Sequence, residues 1–252
     1  MKRYLFNYQT IVNFSAPVIN HSILLRPLPL VGGYMDVETE HLVIPLSFHV
    51  RKGMDQLGNR IVYGIQRDAH TSLVYVSTGI VSMDEYAVNA DAVPLLVYKQ
   101  STPLTFLTED HAQTLSGDVT EDAMELCHKV YRTMQYTPSV TSVDTPAAEV
   151  LKTRQGVCQD YAHLMIALCR VNGIASRYVC GFMEGEGATH AWVEVYDGYR
   201  WIGFDPTHDR RITYGYVKLA HGRDASDCPV SRGIYAGNAT EQTQLHVMLK
   251  EI

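Results

Sequence analysis

A cysteine, a histidine and an aspartate, residue types that together perform acyl transfer, occur in that order at Cys158, His190 and Asp205. Cys158 follows Gly156 and Val157 directly and opens the run CQDYAHLMIALCR. There Ala162, Met165, Ile166, Leu168 and Cys169 recur at three- and four-residue spacings, the period of a largely buried helix. A thiol at a helix start meets free backbone N–H groups and the positive end of the helix dipole, and both favour the nucleophilic thiolate. Gly156 suits a sharp entry turn and a close approach of backbone to substrate, and Asp160 in the first turn favours helix initiation. A lone cysteine in such a run is ordinarily a small buried apolar residue, so a catalytic reading depends on partners.

The partners follow in chain order. His190 begins HAWVEVY, where Ala191, Val193 and Val195 alternate with Trp192, Glu194 and Tyr196, the period of a strand. Asp205 closes RWIGFD, a short apolar strand ending at Asp-Pro and a turn. The gaps of 32 and 15 positions accommodate helix, strand, turn and strand. Two paired strands can therefore hold His190 beside Asp205 with the Cys158 helix packed across them, the arrangement that a nucleophile, a base and its orienting acid require.

The segments GVCQDYAHLMIALCR, THAWVEVY and WIGFDPT resemble, in that order, the Cys, His and Asp boxes of the transglutaminase-like superfamily, in a bacterial branch described as cysteine proteases. YLFNYQT, LRPLP and MDQLGN are similar to the β-rich domain that precedes the catalytic domain in that branch, and GRDASDCPVSRGIYAG resembles its closing segment. The resemblance implies an α+β chain: an antiparallel β-sandwich-like domain over residues 1–98, then a papain- or transglutaminase-like catalytic domain over residues 99–252. By position it implies Cys158 as nucleophile, His190 as general base and acid, and Asp205 as the residue orienting His190. Arg223 and Asp224 match the closing segment, and they either line the cleft or pair within their loop.

Composition agrees with a globular chain. The 252 residues are 46% hydrophobic and 19% charged, enough for one large or two modest cores. The net charge of −6, with no basic run, argues against nucleic acid or an anionic membrane surface as partner. Five cysteines, an odd number without a C-x-x-C pair, argue against a disulfide framework or a zinc ribbon and for a reducing compartment. MKRYLFNYQT lacks the apolar core of a signal peptide, and no apolar run approaches the ~20 residues that span a bilayer. A cytoplasmic protein with a peptide or protein substrate and no cofactor or metal is the expectation.

The remaining elements follow from period and turn chemistry. Short alternating runs up to Val97 read as strands, with Leu42, Ile44, Leu46, Phe48 and Val50 on one face of a single strand and DQLGN as a hairpin turn. A linker covers residues 98–117. The period then becomes helical through Ala123, Met124, Cys127, Val130, Tyr131 and Met134, and Thr145 can cap a short helix with Pro146 first. GFMEGEG reads as a flexible acidic loop before His190, serving either as a channel border or as a simple connection.

Other residues could contribute chemistry. His163 lies about 140° around the helix from Cys158 and is therefore a structural histidine rather than the base. The same separation argues against zinc held by Cys158, His163, His190 and His208. The Cys158 N–H is the first oxyanion donor, and Gln155, Gln159 and Tyr136 are the nearby polar residues that could supply a second. Trp192 and Trp201 are wall and core residues flanking the acid and base. Cys228, in a polar loop, is placed near solvent.

Overall fold

The structure is a computed structural model describing residues 1–252. Its first sheet is built on β1 (Lys2–Leu25), where Tyr4, Phe6, Tyr8, Thr10, Val12 and Phe14 are buried and the residues between them face outward. That period of two follows from the pleat. The strand continues past Pro17 because register shifts near residues 13–22, with Asn20 at φ 50°, bend it instead of ending it. Antiparallel partners follow in β2 (Met35–Val43), β3 (His49–Met54), β4 (Arg60–Gln66) and β5 (His70–Met83).

The single strand expected through Leu42 to Val50 is two strands. Pro45 has no N–H to give a ladder, and its carbonyl instead accepts from Phe48 N–H (3.0 Å) in a turn. Leu46 is consequently fully exposed while Phe48 is buried. DQLGN is the expected turn: Asp55 Oδ1 accepts from the N–H groups of Leu57 and Asn59, both at 2.9 Å.

A second, largely antiparallel sheet holds the chemistry. A two-residue strand, β6 (Val88–Asn89), is its first piece. The helical segment follows as α1 (Leu95–Lys99), α2 (Val119–Thr133), β7 (Gln135–Tyr136), α3 (Ala147–Thr153), β8 (Gln155–Gly156) and α4 (Cys158–Val171). Asp118 caps α2 by accepting from Thr120 and Glu121 N–H (2.9 and 3.1 Å). On α2, Tyr131 faces solvent while Leu126 joins the buried stripe. Pro146 itself occupies the cap position of α3, and Thr145 instead accepts from Ser142 N–H (2.9 Å).

The sheet proper contains β9 (Ser176–Met183), β11 (His190–Tyr196), β12 (Arg200–Asp205), β13 (Arg210–Arg211) and β14 (Tyr216–Gly222), in the order β13, β12, β11, β9, β14. Between β9 and β11, the expected loop contains β10 (Gly185–Gly187), which pairs with the final strand. Both faces of β11 are buried. Ala191, Val193 and Val195 pack toward the helices, and Trp192 packs into the core shared with the first sheet. The architecture is therefore three layers: sheet, sheet and helices. Helix α4, with every residue from Asp160 to Arg170 buried, is the centre of the helical layer.

The expected boundary between residues 98 and 99 falls within α1, and β6, before it, already pairs in the second sheet. After β14 the chain returns to the first sheet as β15 (Ser231–Ala236) and β16 (Glu241–Glu251). Strand β1 needs hydrogen-bond partners on both edges, and over its first half β5 covers one and β16 the other. Cys228, expected near solvent, is buried because the loop before β15 folds inward, and Cys180 Sγ lies 3.4 Å from its carbonyl oxygen. No helix is long and apolar enough to cross a membrane.

Candidate active site

The residues ahead of Cys158 are held by a backbone clamp. Parallel pairing of β7 with β8 and the Thr137 N–H to Gly156 carbonyl bond (2.9 Å) fix the approach to α4. Asp160 then folds back so that its Oδ2 accepts from Val157 N–H (2.7 Å) and from Thr141 Oγ1 (2.7 Å). This carboxylate dictates Gly156: a Cβ there would lie 2.5 Å from Asp160 Oδ2. The glycine thus makes room for the cap, a more specific reason than freedom of approach to substrate. Burial leaves the Asp160 carboxyl raised above its ordinary range.

Cys158 is the first residue of α4 and is half-buried. The first N–H groups of a helix have no intrahelical acceptor, so the Cys158 N–H is available beside its own sulfur. His190, the first residue of β11, lines the same two cavities as Cys158. Its Nε2 donates to Asp205 Oδ2 at 2.8 Å, leaving Nδ1 as the ring nitrogen for the thiol. Burial pulls the His190 pKa down, but the bonds to Asp205 and Cys158 outweigh it, and the pKa is raised to about 9.

Asp205 ends β12, is fully buried, and is saturated with donors. Its Oδ2 accepts from His190, from His208 Nδ1 (2.7 Å) and from Tyr216 Oη (2.5 Å). Its Oδ1 accepts from the N–H groups of Thr207 (2.9 Å) and His208 (3.3 Å). Burial alone would raise this carboxyl; the donors, His190 first, hold it well below the usual carboxylate range. Tyr216 in turn accepts from Arg210 Nη2 (2.6 Å). Tyr216, Arg210 and the carboxylate-binding role of His208 escaped the sequence reading. His208, three residues after Asp205 in DPTH, had a local signal; Tyr216 and Arg210 arrive from other strands.

Trp192 is the expected wall residue, lying beside His190 with ring centroids 6.4 Å apart and 24° between planes. Its Nε1 donates to Tyr86 Oη (2.9 Å), which donates to Glu194 Oε1 (2.5 Å). Glu194 is fully buried and binds Lys218 Nζ (2.7 Å) and Arg177 Nε. Burial would raise the Glu194 carboxyl, but Arg177 and Lys218 outweigh it and hold it well below its ordinary value. Trp201 packs under the Arg177 guanidinium at 4.0 Å, away from the acid and base.

Two cavities meet at the Cys158 and His190 pair. One, of about 450 Å³, is bordered by Glu184, Glu186, Thr207, His208 and Tyr136. The other, of about 550 Å³, is lined by Tyr8, Tyr75, Tyr178, Val230 and Leu245 and includes Gln159. The GFMEGEG segment is thus both a channel border and, through β10, a strand of the first sheet.

The other singled-out residues fall elsewhere. Gln159 Nε2 is engaged by the Val143 carbonyl at 3.1 Å. Gln155 sits in the clamp and borders neither cavity. Arg223 and Asp224 neither line the cleft nor pair with each other: Arg223 Nε binds Asp227 (2.8 Å), and Asp224 accepts from Ser226 N–H (2.8 Å). His163 is a buried structural histidine that accepts from Ala225 N–H (3.1 Å), and burial lowers its pKa to about 4.

A half-buried Cys with a buried His and Asp thus spans a helix start and two strands of an antiparallel sheet. Residues 107–206, which carry all three, match the model of the transglutaminase-like superfamily, so the chain carries a transglutaminase-like domain there. An uncharacterised protein of Mycobacterium tuberculosis is 37% identical over 131 aligned positions, covering 46% of this chain and 42% of that protein. One from Mycobacterium leprae is 35% identical over 127, covering 46% and 44%. The chain thus spans less than half the length of these relatives. A crystal structure from Cytophaga hutchinsonii, described as a candidate cysteine protease, superposes with a TM-score of 0.80 at 23% identity, covering 100% of this chain and 91% of that one. The α+β fold is shared from end to end.

Proposed function

We propose that this chain is a cysteine-dependent acyl-transfer enzyme that acts on peptide or amide bonds through a thioester, with water as the usual acceptor. The observation that carries the reading is the set of Cys158 at a helix start, His190 lining the same two cavities, and Asp205 bonded to Nε2 of the imidazole at 2.8 Å. His190 Nδ1 takes the thiol proton, or already holds it as imidazolium, and the sulfur attacks the amide carbon. The Cys158 N–H receives the developing oxyanion, and His190 returns the proton to the leaving amine. Asp205 fixes the tautomer and stabilises the imidazolium. Water then repeats the sequence on the thioester and frees the acid.

Transamidation by a primary amine is the second reading. Glu184 and Glu186 border the smaller cavity beside Cys158, and their charge favours an ammonium-bearing nucleophile. Mass spectrometry of the wild type and Cys158→Ala, incubated with a peptide library containing glutamine peptides and a primary-amine probe, separates the outcomes. Cleaved peptides, or glutamines converted to glutamates, with wild type alone establish hydrolysis. Amine-labelled glutamines establish transamidation, and identical spectra from the two proteins refute catalysis on these substrates.

A further inference from the structure

We propose that His190, Asp205 and His208 form a binding site for a zinc-type divalent cation, and that occupancy of this site switches His190 out of its role as base. The donor atoms are His190 Nε2, Asp205 Oδ2 and His208 Nδ1, all within 4.8 Å of one another. Two imidazoles and one carboxylate are a donor set that suits zinc and its neighbours, whereas magnesium and calcium prefer oxygen alone.

The site is built in advance. The Thr207 and His208 N–H groups hold Asp205 Oδ1, which leaves Oδ2 turned toward both imidazoles. Tyr216 Oη, braced by Arg210, donates to Oδ2 itself at 2.5 Å, so the ion takes the place of the two imidazole N–H groups on that oxygen while the tyrosine keeps its other lone pair and orients it. The two nitrogens now lie 2.8 and 2.7 Å from Oδ2. A tetrahedral ion with bonds of about 2.0–2.1 Å needs ligand atoms roughly 3.3 Å apart, so each contact has to open by about half an ångström. His208 has the freedom to do so, since its side chain is 40% exposed. Both histidines border the smaller cavity, from which the ion enters and water completes its coordination.

The consequence rests on the acyl-transfer reading. A metal takes the Nε2 lone pair of His190, so the proton now shared with Asp205 leaves Nε2. It goes to solvent when the ring is an imidazolium and moves to Nδ1 when the ring is neutral, and the His208 Nδ1 proton is displaced in the same way. The imidazole then keeps its remaining proton on Nδ1, the nitrogen facing Cys158, and has no lone pair to accept the thiol proton. Removal of the ion by a chelator restores the Nε2–H to Asp205 bond.

The test uses the full chain carrying Cys158→Ala, so that thiol ligation is removed. Titration with zinc in a calorimeter should give one site per chain, and cobalt(II) should give visible ligand-field bands without a thiolate charge-transfer band. Adding His208→Gln should weaken binding at least about tenfold, with an unchanged circular dichroism spectrum confirming the fold. Absence of binding to Cys158→Ala, or equal binding after His208→Gln, overturns the site. In the otherwise native chain, zinc should slow alkylation of Cys158 by iodoacetamide, and chelator should reverse it. A thiolate charge-transfer band there, lost in Cys158→Ala, would place the metal on the sulfur and overturn the proposal. Metal binding is read without turnover, so a chain that binds zinc here yet transforms no amide refutes the acyl-transfer reading and leaves the site standing.

Discussion

Replacing Glu194 with glutamine tests the reasoning about the buried charges most directly. Glu194 is wholly buried and receives Lys218 Nζ on both oxygens (2.9 and 2.7 Å), Tyr86 Oη at 2.5 Å and Arg177 Nε. Glutamine keeps the shape but removes the charge and turns one acceptor into a donor, leaving Arg177 and Lys218, both buried, with only partial compensation. Breaking a buried ion pair by removing one partner costs about 3–5 kcal/mol. Against a typical total stability of roughly 5–15 kcal/mol, that loss brings the protein close to unfolding. Urea denaturation of wild type and Glu194→Gln at neutral pH measures it. The pH dependence supplies an independent arm. The native carboxyl titrates well below its ordinary value of 4.5, so its contribution is complete above that value and is lost as pH falls toward the native pKa. The difference between the two proteins should therefore shrink as the pH falls below 4.5. A neutral-pH difference under about 1 kcal/mol, or one that persists unchanged into acid, would refute the view that Glu194 neutralises these cations.

Three further outcomes follow from the site. Gly156→Ala forces a Cβ against the Asp160 carboxylate and should lower stability by about 1–3 kcal/mol, the usual cost of overpacking, as read by urea denaturation; an unchanged midpoint would mean that Asp160 does not need this space. Asp205→Asn keeps the side-chain volume but leaves His190 without its anionic partner, and turnover should fall by roughly 10²–10⁴-fold, measured as kcat on a peptide that the wild type cleaves. Tyr216→Phe removes one donor to the charged carboxylate while His190 and His208 still hold Asp205; it should cost about 1.5–3 kcal/mol in thermal unfolding and leave most of the turnover.

The central part of the candidate site was legible because each residue of the proposed triad sits where a local pattern starts or stops. Cys158 opens a helical period, His190 opens an alternating one, and Asp205 ends a strand at a turn; the structure places all three at those ends. Asp160 was read as an N-terminal acid, but its fold-back over Gly156 depends on the path of the preceding turn. Glu194 carried no warning, since alternation with valines suggests an outward face. Only the docking of the first sheet makes that face interior. The same limit hid Tyr216, one of 16 tyrosines, whose value comes from a neighbour eleven residues away. Strand partnership is likewise non-local: nothing within residues 231–251 states that they complete the sheet begun by β1.

That closing strand also sets an order of events on the ribosome. Strand β1 is synthesised before its partners, and β5 reaches one of its edges early, but the other stays uncovered until β16 emerges more than two hundred residues later. At ~5–20 residues per second, the nascent chain carries that open edge for roughly 10–40 s. Strand β10, on the rim of the cleft, is held by β16, and Val247 of β16 lines the cleft itself. The wall beside Cys158 therefore forms only after β16 has been made, later than Cys158, His190 and Asp205 themselves, and a polypeptide stalled before β16 lacks a finished cleft.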